Sequence, residues 1–239
     1  MGIFDFFKSK KKNILNDNGL NEIYYRDGKG KIKERFTKVN GEKHGTESFF
    51  YENGTLKKEE NWENGKENGL TRWFDKNGNL EQESNWKNGK LNGQLKSYHK
   101  NGKLKEDSIW KDGKRNGLAK SYYENGLMLD EENFKCGKRN GIAKYYYENG
   151  QMKYKTTWKD EKINGLIEYF YENGQIKEIS NWKDDKRNGP SKHYYESGQL
   201  EIEANFKDDK KDGVIKSYYE NGQLCEESKW KDDQRINED

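Results

Sequence analysis

Three histidines, two cysteines and a large stock of carboxylates are the side chains of this sequence that could do chemistry. Metal binding and acid–base catalysis need several unlike groups converging at one place, so the question for His44, His99 and His193 is whether they meet. For Cys136 and Cys225 it is whether their backbones approach within the ~7 Å that a disulfide tolerates. With 43 acidic residues, some pair will always fall at the separation of glycosidase carboxylates, so carboxylate spacing discriminates nothing. An Asn-Gly-x-x-x pattern invites comparison with a phosphate loop. Lys and Ser/Thr are not at the required spacing, however, and no strand-to-helix transition follows.

What these groups can do depends on the elements that position them, and those elements repeat. "YYENG" stands at 122–126, 146–150 and 218–222, with "FYENG" at 50–54 and 170–174. Gly54, Gly78, Gly102, Gly126, Gly150, Gly174, Gly198 and Gly222 follow one another at 24-residue steps, and a second series from Gly45 to Gly213 keeps the same step. An earlier unit starts at Gly19, with Tyr24 and Tyr25 at its aromatic positions and a turn two residues longer, which makes nine copies, the last incomplete. A period of this length is the signature of a repeat architecture.

Within each copy two short runs are separated by Glu-Asn-Gly and closed by a Lys/Asp/Gly/Asn cluster, the punctuation of a β-hairpin. The expected fold is all-β, an elongated single antiparallel sheet of about nine successive hairpins, flat or curled. A three-residue Glu-Asn-Gly turn with a left-handed Gly places four ladders on one face by simple alternation. These are the Tyr122 series, the Leu118 series, the Met128 series, and the ring eight residues past the turn Gly (Trp62, Trp86, Trp110, Phe134, Trp158, Trp182, Phe206, Trp230). In that register Lys120 faces Asp130; in the shorter Asn-Gly turn it faces Glu131. One unit buries too few large side chains, at about 1.5–3 kcal/mol each, to stand alone, so stacking of neighbours must stabilise it.

Linear stacking keeps the chemical groups apart. His99 and His193 lie four units from each other, roughly 40 Å at two strands per unit, and the cysteines are similarly distant. The expectation is no catalytic residue, no metal, no cofactor and no enzyme. Two unpaired thiols fit a reducing cytoplasm.

Composition agrees with an ordered but unusual chain. Only 29% of residues are hydrophobic and 37% are charged, which leans toward disorder, but the aromatic share of 14% and the single Pro argue for order. Lys plus Arg total 46 against 43 acids, interspersed in sign, which gives no general reason to expect nucleic acid. No stretch reaches the roughly 18 apolar residues of a membrane span. The opening "MGIFDFFKSKKKN" lacks the apolar core of a signal peptide, and Phe6 stands where a myristoylation signal wants Ser or Thr. The expectation is a cytoplasmic protein with an N-terminal segment, 1–18, as a short helix or tail, and a repeat array, 19–239.

Three features are candidates for binding. Tyr51, Tyr123, Tyr147, Tyr171 and Tyr195, with Tyr25 and Tyr219, form a ladder one residue past the expected core aromatic. Phe49, Trp73, Tyr145 and Tyr169 lie beside it; exposed aromatics of this kind suit protein interfaces. Arg72, Lys96, Lys120, Lys144, Lys192 and Lys216 form a basic ladder that could suit single-stranded nucleic acid, but acids on the next strand cancel it. Phe4 and Phe7 ahead of Lys10, Lys11 and Lys12 could rest weakly on an anionic membrane, or cap the first sheet edge.

"WKNGKLNG" (86–93), "WKDGKRNG" (110–117), "WENGKENG" (62–69) and "KHG" (43–45) resemble the core of the MORN repeat. The "YYENGxLK" half is similar to the bacterial variant found in proteins described as antitoxins. The resemblance implies an extended sheet of hairpins without catalytic residues. Its implied functions are scaffolding, protein binding, phospholipid contact, or neutralisation of a toxin or effector. A protein-binding repeat protein is the leading expectation, and a peripheral membrane scaffold working through the N-terminal Phe/Lys segment is the alternative; a homodimer through open sheet edges is compatible with either. Glu161, Asp185, Asp209 and Asp233 depart from the pattern by replacing a loop Gly. Those loops must change conformation or hold strained backbone.

Overall fold

The computed structural model describes residues 15–26 and 29–236. It divides into two compact units, Met1–Leu91 and Asn92–Asp239, and every regular element described in either is a strand. In the first unit Gly19–Tyr24 pairs with Ile32–Val39, which pairs with Gly45–Phe50, and so on through Leu56–Glu63, Gly69–Phe74 and Leu80–Lys87. The second unit has the same order of antiparallel neighbours, from the pair Lys90–Tyr98 and Leu104–Lys111 to Leu224–Lys231 and Gln234–Ile236. The all-β, hairpin-by-hairpin expectation is met. Residues 1–14, and with them Phe4, Phe7, Lys10, Lys11 and Lys12, lie outside the described residues.

Two turn types alternate. At Glu124-Asn125-Gly126 the Gly126 N–H donates to Tyr123 O (2.9 Å), Tyr123 N–H donates to Leu127 O (2.9 Å), and Gly126 sits at φ 90°. This is the expected three-residue loop closed by a left-handed Gly. The link to the next hairpin is tighter: Asp112 (φ 51°) and Gly113 (φ 77°) are both left-handed, the signature of a two-residue type I′ turn.

The expected register holds at the turn and fails beyond it. Tyr122 pairs with Met128, but Ser121 pairs with Asp130 and Lys120 with Glu131, so Leu129 is an extra, bulged residue. The same slip recurs in every hairpin, for example at Lys57, Glu81 and Lys153. A one-residue insertion reverses the faces of everything after it. Leu118, Lys120, Tyr122, Met128, Glu131 and Asn133 therefore share one face, and Ala119, Ser121, Asp130, Glu132 and Phe134 share the other. The Trp/Phe ladder that simple alternation groups with Tyr122 stands on the opposite side of the sheet, and Lys120 meets Glu131 (3.5 Å) instead of Asp130.

The core lies on the Trp side. Every buried residue among those described occupies one of two directly paired positions, such as Ala119 and Glu132, Ala143 and Thr156, or Ile167 and Ser180. Most of these residues are small or polar, Phe36 and Ile167 being the large apolar ones, and at several of them an indole folds back over a serine. The Nε1–H of Trp110 donates to the Oγ of Ser108 two residues earlier (2.8 Å), and Trp86, Trp182 and Trp230 repeat the bond on Ser84, Ser180 and Ser228. The indole thus seals the paired position while its only polar group is satisfied. Ile142, expected in the core, is 54% exposed.

Candidate partner-binding face

The tyrosine ladder is positioned by the three-residue turn and holds one repeat to the next. Tyr51, Tyr123, Tyr147, Tyr171 and Tyr195 each donate their hydroxyl to a backbone carbonyl of the following repeat, at Phe74, Tyr146, Phe170, Tyr194 and Tyr218 (2.7–2.9 Å). Burial raises the pKa of Tyr51, Tyr123, Tyr171 and Tyr195, which keeps these donors protonated. His99 fills the same slot, with Nε2 2.7 Å from Tyr122 O; a carbonyl partner requires that nitrogen to carry the proton. The turn Asn works alongside: Asn125 accepts from Leu127 N–H (2.8 Å) and donates to Glu148 O in the next repeat (2.9 Å). The recurrent Tyr-Glu-Asn-Gly word is in large part an inter-repeat fastener, a role that reading each hairpin by itself could not supply.

Phe49, Trp73, Tyr145 and Tyr169 project from the Trp side, in the row next to the buried pairs. In the first unit Phe49 and Trp73 flank Lys58 in register, and the Lys58 ammonium lies 5.7 Å and 4.6 Å from their ring centroids. In the second unit Tyr154 takes the place of that lysine. Tyr145 and Tyr154 stack at 4.2 Å and 15°, and Tyr154 meets Tyr169 at 5.4 Å and 35°. Burial, then a hydrogen bond to Glu132, pushes the Tyr145 hydroxyl pKa far above its ordinary value. Burial also raises Tyr154 and Tyr169, so all three are neutral across the physiological range.

The patch continues past Tyr169 to Glu178, which pairs with it and with His193, and His193 in turn pairs with Ile202. The His193 ring approaches Glu178 (Nε2 to Oε2, 3.1 Å). Tyr154 and Ile202 were missed by the sequence reading, although a signal existed: their position is Glu106, Asp130, Glu178 and Glu226 in other repeats of this unit. Cys136 and Cys225 are free and exposed. Among the described residues no group of three or more His, Cys, Asp or Glu is arranged to hold a metal, and no helix is long and apolar enough to cross a membrane. What this face offers is a row of stacked tyrosines edged by Glu178 and His193, a surface suited to contact.

No curated protein matches the chain. Among solved structures, a chain in "Crystal Structure of TcdB2-TccC3-Cdc42" aligns with 88% of this chain at 10% identity and a TM-score of 0.23. This chain spans 13% of the length of that one. The MORN repeat variant model matches residues 43–64, 67–88, 91–112, 139–160, 163–184, 187–208 and 211–232, and the MORN repeat model matches 83–94 and 107–128. Covered over more than half its length by the first of these, and built of the hairpins that such repeats form, the chain belongs to the MORN repeat variant family.

Proposed function

We propose that the chain is a non-enzymatic protein-binding repeat protein that holds its partner against Tyr145, Tyr154 and Tyr169. MORN repeats commonly act as protein- or membrane-binding modules and are a non-catalytic repeat type. The observation that carries the protein-binding reading is the in-register stack of three tyrosines at positions where sister repeats carry serine or an acid. Packing within the array does not require these rings, since Ser97, Ser121 and Ser217 occupy the equivalent site elsewhere. Tyrosines that are large, rigid and partly desolvated are typical interface anchors. The narrower reading, a bacterial antitoxin or immunity-type factor neutralising a toxin or effector, rests on the resemblance of the Tyr-Tyr-Glu-Asn-Gly half-repeat.

The test uses substitutions the array itself already tolerates. Tyr145→Ser and Tyr169→Ser copy the sister repeats, and Tyr154→Glu copies Glu106 and Glu178. The triple variant is expected to keep its unfolding midpoint and to lose the proteins that co-purify with the parent chain. Retention of those proteins by the folded variant would refute the reading.

A further inference from the structure

Five of the six type I′ turns described in the second unit are entered and left by lysine, and the two lysines pair directly: Lys111 with Lys114, Lys135 with Lys138, Lys159 with Lys162, Lys183 with Lys186 and Lys207 with Lys210; the sixth pairs Lys231 with Gln234. Like charges opposite one another on a sheet are destabilising. In the last three of these five turns the tip carries two carboxylates, Asp160 and Glu161, Asp184 and Asp185, Asp208 and Asp209. The turn at Cys136 and Gly137 has none, and its neighbour at Asp112 and Gly113 has one.

Lysines of three successive turns border a groove. An open cavity of about 850 Å³ is lined by Lys114, Lys135, Lys138 and Lys159, with Asp160 the single acid among its lining residues. None of these four lysines makes an ion pair within the described residues. Asn140, Asn164 and Thr157 add uncharged polar groups, and Trp158 forms part of the wall. Four lysines and one acid border this concavity, a local excess of positive charge that no ion pair among the described residues offsets.

We propose that this groove binds an acidic peptide segment of a partner protein, its carboxylates held by Lys114, Lys135, Lys138 and Lys159. The surroundings argue against other anions. A phosphate cradle needs free backbone N–H groups, whereas Gly137 N–H donates to Arg115 O (2.8 Å) and Cys136 N–H to Asn116 Oδ1 (3.1 Å). Single-stranded nucleic acid needs open ring faces for stacking, whereas the Trp158 ring is already covered by the Arg139 guanidinium at 4.9 Å. Carboxylates on a flexible chain need only separated point charges and amide donors, which the groove supplies. The site is separate from the tyrosine face, so either assignment can fail alone.

The exposed Cys136 thiol provides a reporter inside the groove. The full chain carrying Cys225→Ser is labelled at Cys136 with an environment-sensitive fluorophore and titrated with an oligoglutamate peptide. The expected result is a saturable response that weakens with added salt. Lys114→Glu with Lys138→Glu should reduce affinity by about tenfold or more, while Lys186→Glu with Lys210→Glu, in turns that do not line the groove, should stay within about twofold. Lys114→Gln with Lys138→Gln gives the same comparison without charge reversal if the Glu pair fails to fold. Equal losses in both turn pairs, no saturable response, or equal competition by inorganic phosphate would overturn the proposal.

Discussion

Glu47 and Glu60 face each other directly across the strands Gly45–Phe50 and Leu56–Glu63, both sealed from solvent at 0% and 3% exposure. Lys43 reaches one oxygen of Glu47 and Lys58 pairs with Glu60, while the second oxygen of Glu47 has no hydrogen-bond donor. Glu34 also borders the pair through Lys43 (3.7 Å), and Glu67, held by Thr71 Oγ1 (2.7 Å), adds a further acid. Burial, reinforced by the neighbouring carboxyl groups, raises the pKa of Glu47, Glu60 and Glu67 above the ordinary carboxylate value. A raised folded-state pKa means that the native state binds more protons than the unfolded chain. Stability is then fullest below the ordinary carboxylate pKa and is lost as pH rises through the raised values. Glu47→Gln supplies the missing donor without charge, so it should raise unfolding free energy at pH 8 by about 1–3 kcal/mol and flatten its pH dependence. Urea midpoints at pH 5 and pH 8 decide this; an E47Q chain that loses stability with pH as steeply as the parent would exclude the pair as its source.

The fastener role of the tyrosine ladder makes a different forecast from a partner-anchor role. Tyr147→Phe keeps the ring, and with it the Lys153 ammonium 5.6 Å from its centroid. It removes only the hydroxyl bond to Phe170 O (2.9 Å). A loss of about 0.5–1.5 kcal/mol is expected, with Tyr123→Phe and Tyr171→Phe behaving alike. Denaturant unfolding measures it, and three unchanged midpoints would mean that the hydroxyls do not fasten the repeats.

Much of the architecture could be read from residue spacing, and the limits of that reading have identifiable causes. The 24-residue step of the two glycine series fixed hairpins, their order and the three-residue turn, because Gly at φ 90° has few alternatives. The bulge at Leu129 leaves no compositional mark, since its counterparts are Lys57, Glu81, Lys153 and Cys225. Nothing in the run of letters therefore warned that Trp110 and Tyr122 point to opposite faces. Tyr145 and Tyr169 were legible as candidates because they break a serine pattern. Tyr154 was equally off-pattern, but simple alternation sets it on the face opposite Tyr145 and Tyr169, so the three do not read as one cluster without the bulge.

The acids that replace the loop glycine keep the glycine conformation. Glu161, Asp185 and Asp209 remain left-handed at φ 71°, 68° and 71°, a conformation that costs an L-residue roughly 1–2 kcal/mol. A two-point clamp offsets it: Asp185 N–H donates to Ile163 O (3.1 Å) and its Oδ1 accepts from Ile163 N–H (2.7 Å), and Asp209 does the same on Arg187. Asp185→Ala retains the strain and loses the carboxylate, so it should destabilise by about 1–2 kcal/mol. Asp185→Asn keeps an acceptor and tolerates the left-handed region, so it should stay within about 0.5 kcal/mol. Thermal or urea unfolding separates them, and equal effects would show that the carboxylate contributes nothing.

The bulge is tested most directly by two adjacent residues of one strand. In an unbulged hairpin Ile142 joins Trp158 on the core face and Ala143 turns to water; with the bulge, Ala143 is 0% exposed beside Thr156 and Ile142 is 54% exposed. Lysine is a sharp probe of that difference because its charge cannot be buried without a partner. Ile142→Lys should change stability by no more than about 0.5 kcal/mol, whereas Ala143→Lys should cost more than about 4 kcal/mol or prevent folding. The two outcomes exchange if the Trp ladder shares a face with Tyr146, so a tolerated Ala143→Lys beside a disabling Ile142→Lys would reverse the face assignment. That reversal would also move Tyr145 and Tyr169 off the core side of the sheet, which is why this pair of variants should be made before any partner is mapped onto the aromatic patch.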